Sequence, residues 1–294
     1  MTKTAWVFPG QGSQTIGMGS DLVEQSVTQD KFEKAELILG WSVPDVCQNE
    51  DDKVSRTLYT QPCLYVIESI LADALAANGH APALVAGHSL GEYVALYAAG
   101  VFDFETGLRL VQRRAELMDQ ASGGLMAALI GFDAQQLQEL LQNTSQVVLA
   151  NDNSAGQIVI SGEPNAVEAV MAEVKAKRKV KLNVSGAFHS PFMAEAAAEF
   201  EAVLESVAFQ DAHVPVLSNV DPSPMTDAQI LKERLVKQMT GSVRWREISL
   251  RLPQEGIDCV IEVGPGKVLT GLMKRTCSEV GLKNVSSLAD LADF

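Results

Sequence analysis

Gly87-His88-Ser89-Leu90-Gly91 spells G-x-S-x-G, and its flanks matter more than the pattern itself. A short apolar run, Ala83–Ala86, precedes it, and a helix-forming segment, Glu92–Ala99, follows. A nucleophile elbow requires those flanks, because a tight strand-to-helix turn lifts the serine hydroxyl clear of the backbone. A side chain at either glycine would collide with the adjoining strand or helix. Ser89 then stands at a helix start, where outward-pointing N–H groups favour developing negative charge. The plainer reading is a glycine-rich turn with a capping serine.

A serine hydroxyl needs a base to attack a carbonyl. Four histidines are available: His80, His88, His189 and His213. His88 adjoins the serine, so its side chain should point away. His80 and His213 sit near prolines in polar stretches and read as loop residues. His189 lies in Gly186-Ala-Phe-His-Ser190, just before a helix beginning at Pro191. A loop at a domain junction suits a catalytic group, so His189 is the candidate base, with a structural histidine as the alternative.

Over Phe104–Met118 the apolar residues Leu108, Leu110, Val111, Ala115, Leu117 and Met118 share one helical face at 100° per residue. Arg114 falls within that face, whereas Arg109 and Arg113 project from the other side. A buried guanidinium keeps its charge and needs a partner. An internal Asp or Glu would make it structural; a substrate carboxylate in a bidentate pair would make it functional.

The elements that position these residues read as an α/β protein. Short apolar runs (Ala5–Phe8, Ala83–Ala86, Cys259–Val263) alternate with helical stretches, among them Pro62–Ala77, with Pro62 in its first turn, and Lys267–Thr276. That pattern predicts a large domain with a parallel sheet over 1–124 and 188–294. Between 125 and 187 the order is strand (Leu125–Phe132), helix (Ala134–Gln142), strand (Val147–Asn151), strand (Gln157–Gly162), helix (Pro164–Lys175) and strand (Val180–Val184). This βαββαβ succession predicts an inserted ferredoxin-like subdomain, entered at Gly123-Gly124.

The 294 residues carry 23 Lys+Arg against 37 Asp+Glu, a net charge of −14, with 47% hydrophobic and 20% charged residues. That composition supports a packed interior and excludes global disorder. The acidic balance argues against a nucleic-acid groove and against an anionic membrane surface. Cys47, Cys63, Cys259 and Cys277 form no CxxC pair, so neither a disulfide framework nor a zinc site is expected. The first apolar run stops at Pro9, too short for a signal core or a membrane span. The expectation is a cytoplasmic, monomeric globule.

Four motifs together carry a resemblance: Phe8-Pro-Gly-Gln-Gly-Ser-Gln14, Gly87-His-Ser-Leu-Gly-Glu92, Gly186-Ala-Phe-His-Ser190 and Glu262-Val-Gly-Pro-Gly-Lys267. In this order, along essentially the whole chain, they resemble the malonyl-CoA:acyl carrier protein transacylases. The resemblance implies an α/β-hydrolase-like large domain and an enzyme of bacterial fatty-acid synthesis. Such an enzyme moves malonyl from malonyl-CoA to the phosphopantetheine thiol of acyl carrier protein through a malonyl-serine. It implies Ser89 as nucleophile, His189 as base, and the Gln238 backbone carbonyl as the group that orients the imidazole. It further implies the backbone N–H groups of Gln11 and Leu90 as oxyanion donors, Arg114 as the carboxylate-binding arginine, and no metal or redox cofactor. Asn151 and Asn153 fall near family asparagines beside the cleft.

Other readings share some of these residues. A polyketide malonyltransferase or an editing serine acyl hydrolase would use the same elbow, although a hydrolase of neutral acyl groups gains nothing from a buried cation. A nucleotide-binding protein would need G-x-G-x-x-G, but Thr15 stands at the third glycine and no acidic partner is evident. Gly264-Pro-Gly-Lys267 lacks P-loop spacing and reads as a tight turn. An acidic carrier protein needs a local positive patch on this acidic chain. The densest basic run, Lys175, Lys177, Arg178, Lys179 and Lys181, is expected at the end of the subdomain's second helix, where it equally suits the helix dipole.

Overall fold

The computed structural model describes residues 2–293. The strands are β1 (Thr4–Phe8), β2 (Leu84–Gly87), β3 (Leu125–Phe132), β4 (Val147–Ser154), β5 (Gln157–Gly162), β6 (Ala176–Lys181), β7 (Val216–Leu217), β8 (Cys259–Val263) and β9 (Gly281–Val285). The helices before β3 are α1 (Ser20–Val23), α2 (Ser26–Leu39), α3 (Val43–Gln48), α4 (Thr57–Ala77), α5 (Gly91–Ala98) and α6 (Phe104–Gln120). Those after it are α7 (Ala134–Asn143), α8 (Pro164–Glu173), α9 (Ala194–Glu205), α10 (Ala228–Gln238), α11 (Trp245–Gln254) and α12 (Val268–Met273).

Two sheets divide the work. One has the order β7-β2-β1-β8-β9, every pair parallel. Its strands alternate between two covered faces: Trp6 and Phe8 join the core that includes α4 and α6, while Ala5 and Val7 pack with Trp245, Ile248 and Leu272. Burial on both faces explains why these strands read as continuous apolar runs. The second sheet is antiparallel, in the order β4-β5-β3-β6, with α7 and α8 covering one face over a core of Leu129, Ile160 and Val167. Its opposite face contributes Met126, Ala128 and Val159 to the main core. Backbone bonds tie it to the larger part, as Val243 N–H donates to Ala150 (2.8 Å) and Asp152 N–H to Val243 (2.9 Å).

Three expectations change. The helix read as beginning at Pro62 begins at Thr57, and Pro62 lies inside it, buried. The preceding turn starts early enough that the residues before the proline are already helical, and only one ladder bond is lost. The helix read as reaching Lys175 ends at Glu173, and the strand read over Val180–Val184 lies at Ala176–Lys181. From Lys177 to Lys181 the basic run therefore lies on an exposed edge strand and not at a helix end. Repeated lysines suit such an edge, because they discourage pairing with another chain. Cross-strand pairing also splits the run: Lys179 faces Leu129, and its Nζ donates to the Met171 carbonyl, while Lys181 pairs with Glu168 on α8. Arg178 instead shares the other face with Val180, opposite Ala128.

Candidate active site

The elbow forms where β2 meets α5. An added Cβ at Gly87 would lie 1.9 Å from the Gly91 carbonyl, and one at Gly91 2.0 Å from the Phe8 carbonyl oxygen. No larger residue fits at either position, as the sequence predicts. Between them Ser89 takes φ +52°, a strained left-handed conformation for a non-glycine residue. Asn219, just after β7, brackets the turn: its Oδ1 accepts the Ser89 N–H at 2.7 Å and its Nδ2 donates to the Gly87 carbonyl at 2.6 Å. The Asn219 N–H in turn donates to Glu92 Oε2 at 3.1 Å.

Ser89 Oγ lies 2.8 Å from His189 Nε2. His189 is itself held at φ +55°. Its Nδ1 donates to the Gln238 carbonyl at 2.9 Å, with the Gly241 carbonyl at 3.2 Å. Two carbonyls thus fix the Nδ1–H tautomer and leave the Nε2 lone pair facing the hydroxyl. Burial, and then the positive charge of Arg114, push the imidazole down to about 3, so it is neutral at ordinary pH. His88 turns away to Asn153 Oδ1 at 2.8 Å and packs beside Trp245.

Arg114 is buried, as helical periodicity predicts, and Asp103 caps its helix by accepting the Thr106 N–H at 2.8 Å. Its acceptors were not foreseen. Nη1 donates to Gln61 Oε1 at 2.7 Å, and Nη2 donates to Gln238 Oε1 and to Ser89 Oγ, both at 3.0 Å. Among the described residues no carboxylate pairs with it, so the internal salt bridge is excluded. Nε is buried without a partner in the same set.

Gln11, Ser89, Leu90, Arg114 and His189 line one cleft of about 280 Å³ between the two sheets, which Asn151 and Asn153 also border. The Gln11 side chain is anchored to Thr57 Oγ1 at 3.1 Å. Neither the Gln11 nor the Leu90 backbone N–H donates to an acceptor among the described residues. The arrangement joins a serine hydroxyl, an oriented neutral imidazole, backbone N–H groups without an acceptor among the described residues, and a buried cation. Those are the parts of an acyl-transfer site for an anionic acyl group. Sequence reasoning missed Gln61, Glu92 and Asn219 as parts of this network, along with the side chain of Gln238. A signal existed for Gln61, a polar residue opening the apolar run of α4, of the same kind that exposed Arg114. Asn219 in a loop offered none.

Comparison with known proteins agrees with this chemistry. The acyl transferase domain family matches residues 5–292. A malonyl CoA-acyl carrier protein transacylase of Synechocystis sp. is 60% identical over 289 residues, covering 98% of this chain and 99% of that protein. The crystal structure of the Synechocystis sp. transacylase superposes with a TM-score of 0.98 at 59% identity, covering 99% of this chain and 100% of the other. A type II PKS acyl-carrier protein in complex with its malonyl-transacylase aligns with a TM-score of 0.93 at 37% identity, covering 99% and 98%. A serine–histidine pair beside a buried arginine, in a chain matched almost from end to end, leads to one assignment: the chain belongs to the acyl transferase family, among the malonyl-CoA:acyl carrier protein transacylases.

Proposed function

We propose that the protein transfers malonyl from malonyl-CoA to the phosphopantetheine thiol of acyl carrier protein, in fatty-acid biosynthesis, by a double displacement at Ser89. The observation that carries this reading is a buried arginine with spare N–H capacity, 3.0 Å from the Ser89 hydroxyl and bonded to no acid among the described residues. A hydrolase of neutral acyl groups has no use for that charge.

His189 Nε2 takes the Ser89 proton as Oγ attacks the thioester carbonyl carbon. The oxyanion meets the N–H groups of Gln11 and Leu90, each worth roughly 3–4 kcal/mol when aimed at the tetrahedral state. The C–S bond breaks, coenzyme A leaves with the proton from His189, and malonyl-serine remains. The carrier thiol gives its proton to His189 and attacks the ester, and collapse returns the proton to Ser89. Each half-reaction exchanges a thioester and an ester, chemistry that calls for no metal or redox cofactor. The Gln238 and Gly241 carbonyls stabilise the transient imidazolium, the role an aspartate plays in other triads. The Arg114 fork receives the malonyl carboxylate.

We further read 1–124 with 188–294 as an α/β-hydrolase-like domain and 125–187 as a ferredoxin-like insertion. The parallel sheet with its elbow supports the first, and the order β6-β3-β5-β4 supports the second. The chain's entry and exit meet at the boundary, where a Cβ on Gly124 would lie 2.2 Å from the Ala187 nitrogen. Among the described residues no helix is long and apolar enough to cross a membrane. With the four unpaired cysteines, this supports a cytoplasmic site of action. Intact mass after mixing with malonyl-CoA tests the reaction. A malonyl adduct that maps to Ser89 and disappears when carrier protein is added is expected; wild-type protein that turns over without an adduct would overturn the double displacement.

A further inference from the structure

A buried arginine is ordinarily met by a carboxylate, because a guanidinium taken out of water needs compensation. Arg114 is met instead by two glutamines. Gln61 Oε1 accepts from Nη1 at 2.7 Å, and Gln238 Oε1 accepts from Nη2 at 3.0 Å. All three side chains are at most 1% exposed, so these bonds form away from solvent. An amide oxygen orients a guanidinium as a carboxylate does, but it supplies a dipole and no charge.

The orientation of each amide is settled by its far end. Gln238 Nε2 donates to the Ser89 carbonyl and to Glu92 Oε2, both at 2.8 Å, so its oxygen must face Arg114. Gln61 Nε2 points to Met118 Sδ at 3.3 Å. Glu92 thus stands behind the Gln238 amide, where it acts on Arg114 through space but forms no bond to the fork. Among the described residues Nε has no acceptor, and Nη2 reaches out of this frame to Ser89 Oγ, where the acyl group must arrive.

We infer that Gln61 and Gln238 determine the acyl specificity of the site: as neutral acceptors they aim the Arg114 fork while leaving its charge to be completed by the carboxylate of the acyl group. The inference rests on the malonyl-transfer reading and adds the residues that keep the cation available. A carboxylate at either position would close an internal ion pair and remove the site's demand for an anionic substrate.

Gln61→Glu, a near-isosteric change that adds charge and gives up the Nε2 donor beside Met118 Sδ, tests this beside Gln61→Met, which removes the acceptor without adding charge. The readout is kcat/KM for malonyl-CoA and for acetyl-CoA. The malonyl-to-acetyl ratio should fall by about 10²-fold or more in Gln61→Glu, because an unpaired carboxylate substrate is rejected at a neutralised site. In Gln61→Met it should fall by about tenfold, as the fork loses its aim but keeps its charge. The malonyl loss in Gln61→Glu should appear mainly in KM. A wild-type ratio in either variant overturns the inference, and equal losses in both overturn the charge argument; Gln61→Met keeps the test open if the charged variant folds poorly. Wild-type enzyme that forms no malonyl-Ser89 would instead defeat the underlying reading, so the two failures are distinguishable.

Discussion

A charge left uncompensated inside a protein has measurable consequences at the level of single residues. Acetyl-CoA carries no carboxylate and leaves Arg114 unmatched, so Arg114→Ala should reduce malonyl transfer steeply and shift the malonyl-to-acetyl ratio toward acetyl by on the order of 10²-fold or more. Arg114→Lys should restore only part, since an ammonium cannot form the fork. The same charge holds His189 below its usual range, second to burial. Removing it relieves the imidazolium, so the acid limb of kcat/KM for acylation should move to higher pH in Arg114→Ala. A limb that stays put would show that the arginine does not act on the base. Glu68 is the reverse case: fully buried, with neither oxygen partnered among the described residues, it is raised well above the usual carboxylate range by burial and then by Glu262. The folded protein keeps that proton where the unfolded chain has lost it, so stability drains away as pH climbs above the ordinary carboxylate range. Glu68→Gln should flatten the fall of Tm as pH rises above the ordinary carboxylate range.

Elements tolerate change according to how closely backbone approaches backbone. The elbow packs α5 directly on β1, with Gly91 against the Phe8 carbonyl. Gly91→Ala should therefore cost about 3 kcal/mol and lower both Tm and acylation, since backbone cannot step aside as a side chain can. Gly271 in α12 meets nothing within 4 Å of an added Cβ. Gly271→Ala should stabilise by about 0.5–1 kcal/mol, through the helix preference of alanine alone. Thermal melts of the two variants should move in opposite directions; a higher Tm in Gly91→Ala would mean that helix propensity and not close packing governs the elbow.

The whole molecule adds a question of approach, because a chain of net charge −14 must receive an acidic carrier. The folded arrangement sets Arg178 apart from the lysines of the basic run by the face of β6 it occupies. Lys179 and Lys181 are engaged with α8, whereas Arg178 shares the face of β6 that continues toward Leu182 at the cleft. Arg178→Glu should raise KM for the carrier protein and reduce its dependence on salt, while acylation by malonyl-CoA alone keeps its rate. Lys179→Glu should leave carrier kinetics nearly as they were. If Arg178→Glu leaves carrier kinetics and their salt dependence unaltered, the carrier docks on another face.

Local chemistry was legible before any coordinates. G-x-S-x-G between an apolar run and a helix announced the elbow, because only glycine fits where β2, α5 and β1 nearly touch. An arginine in an apolar helical stripe announced its own burial, because 3.6-residue periodicity leaves it nowhere else to point. The alternation of strands and helices announced both sheets, even though β6 was misplaced by four residues at its start, since lysines of an edge strand imitate a helix end. Partnership was not legible. Whether Arg114 meets an acid, an amide or nothing depends on which residues α4 and α10 bring from 53 and 124 positions away. The bracket that Asn219 places on the elbow spans 130 positions. Sequence periodicity records which face of an element is buried, but it carries no record of which faces meet. Only tertiary packing therefore decided that a neutral cage, and not a salt bridge, surrounds the charge beside the nucleophile.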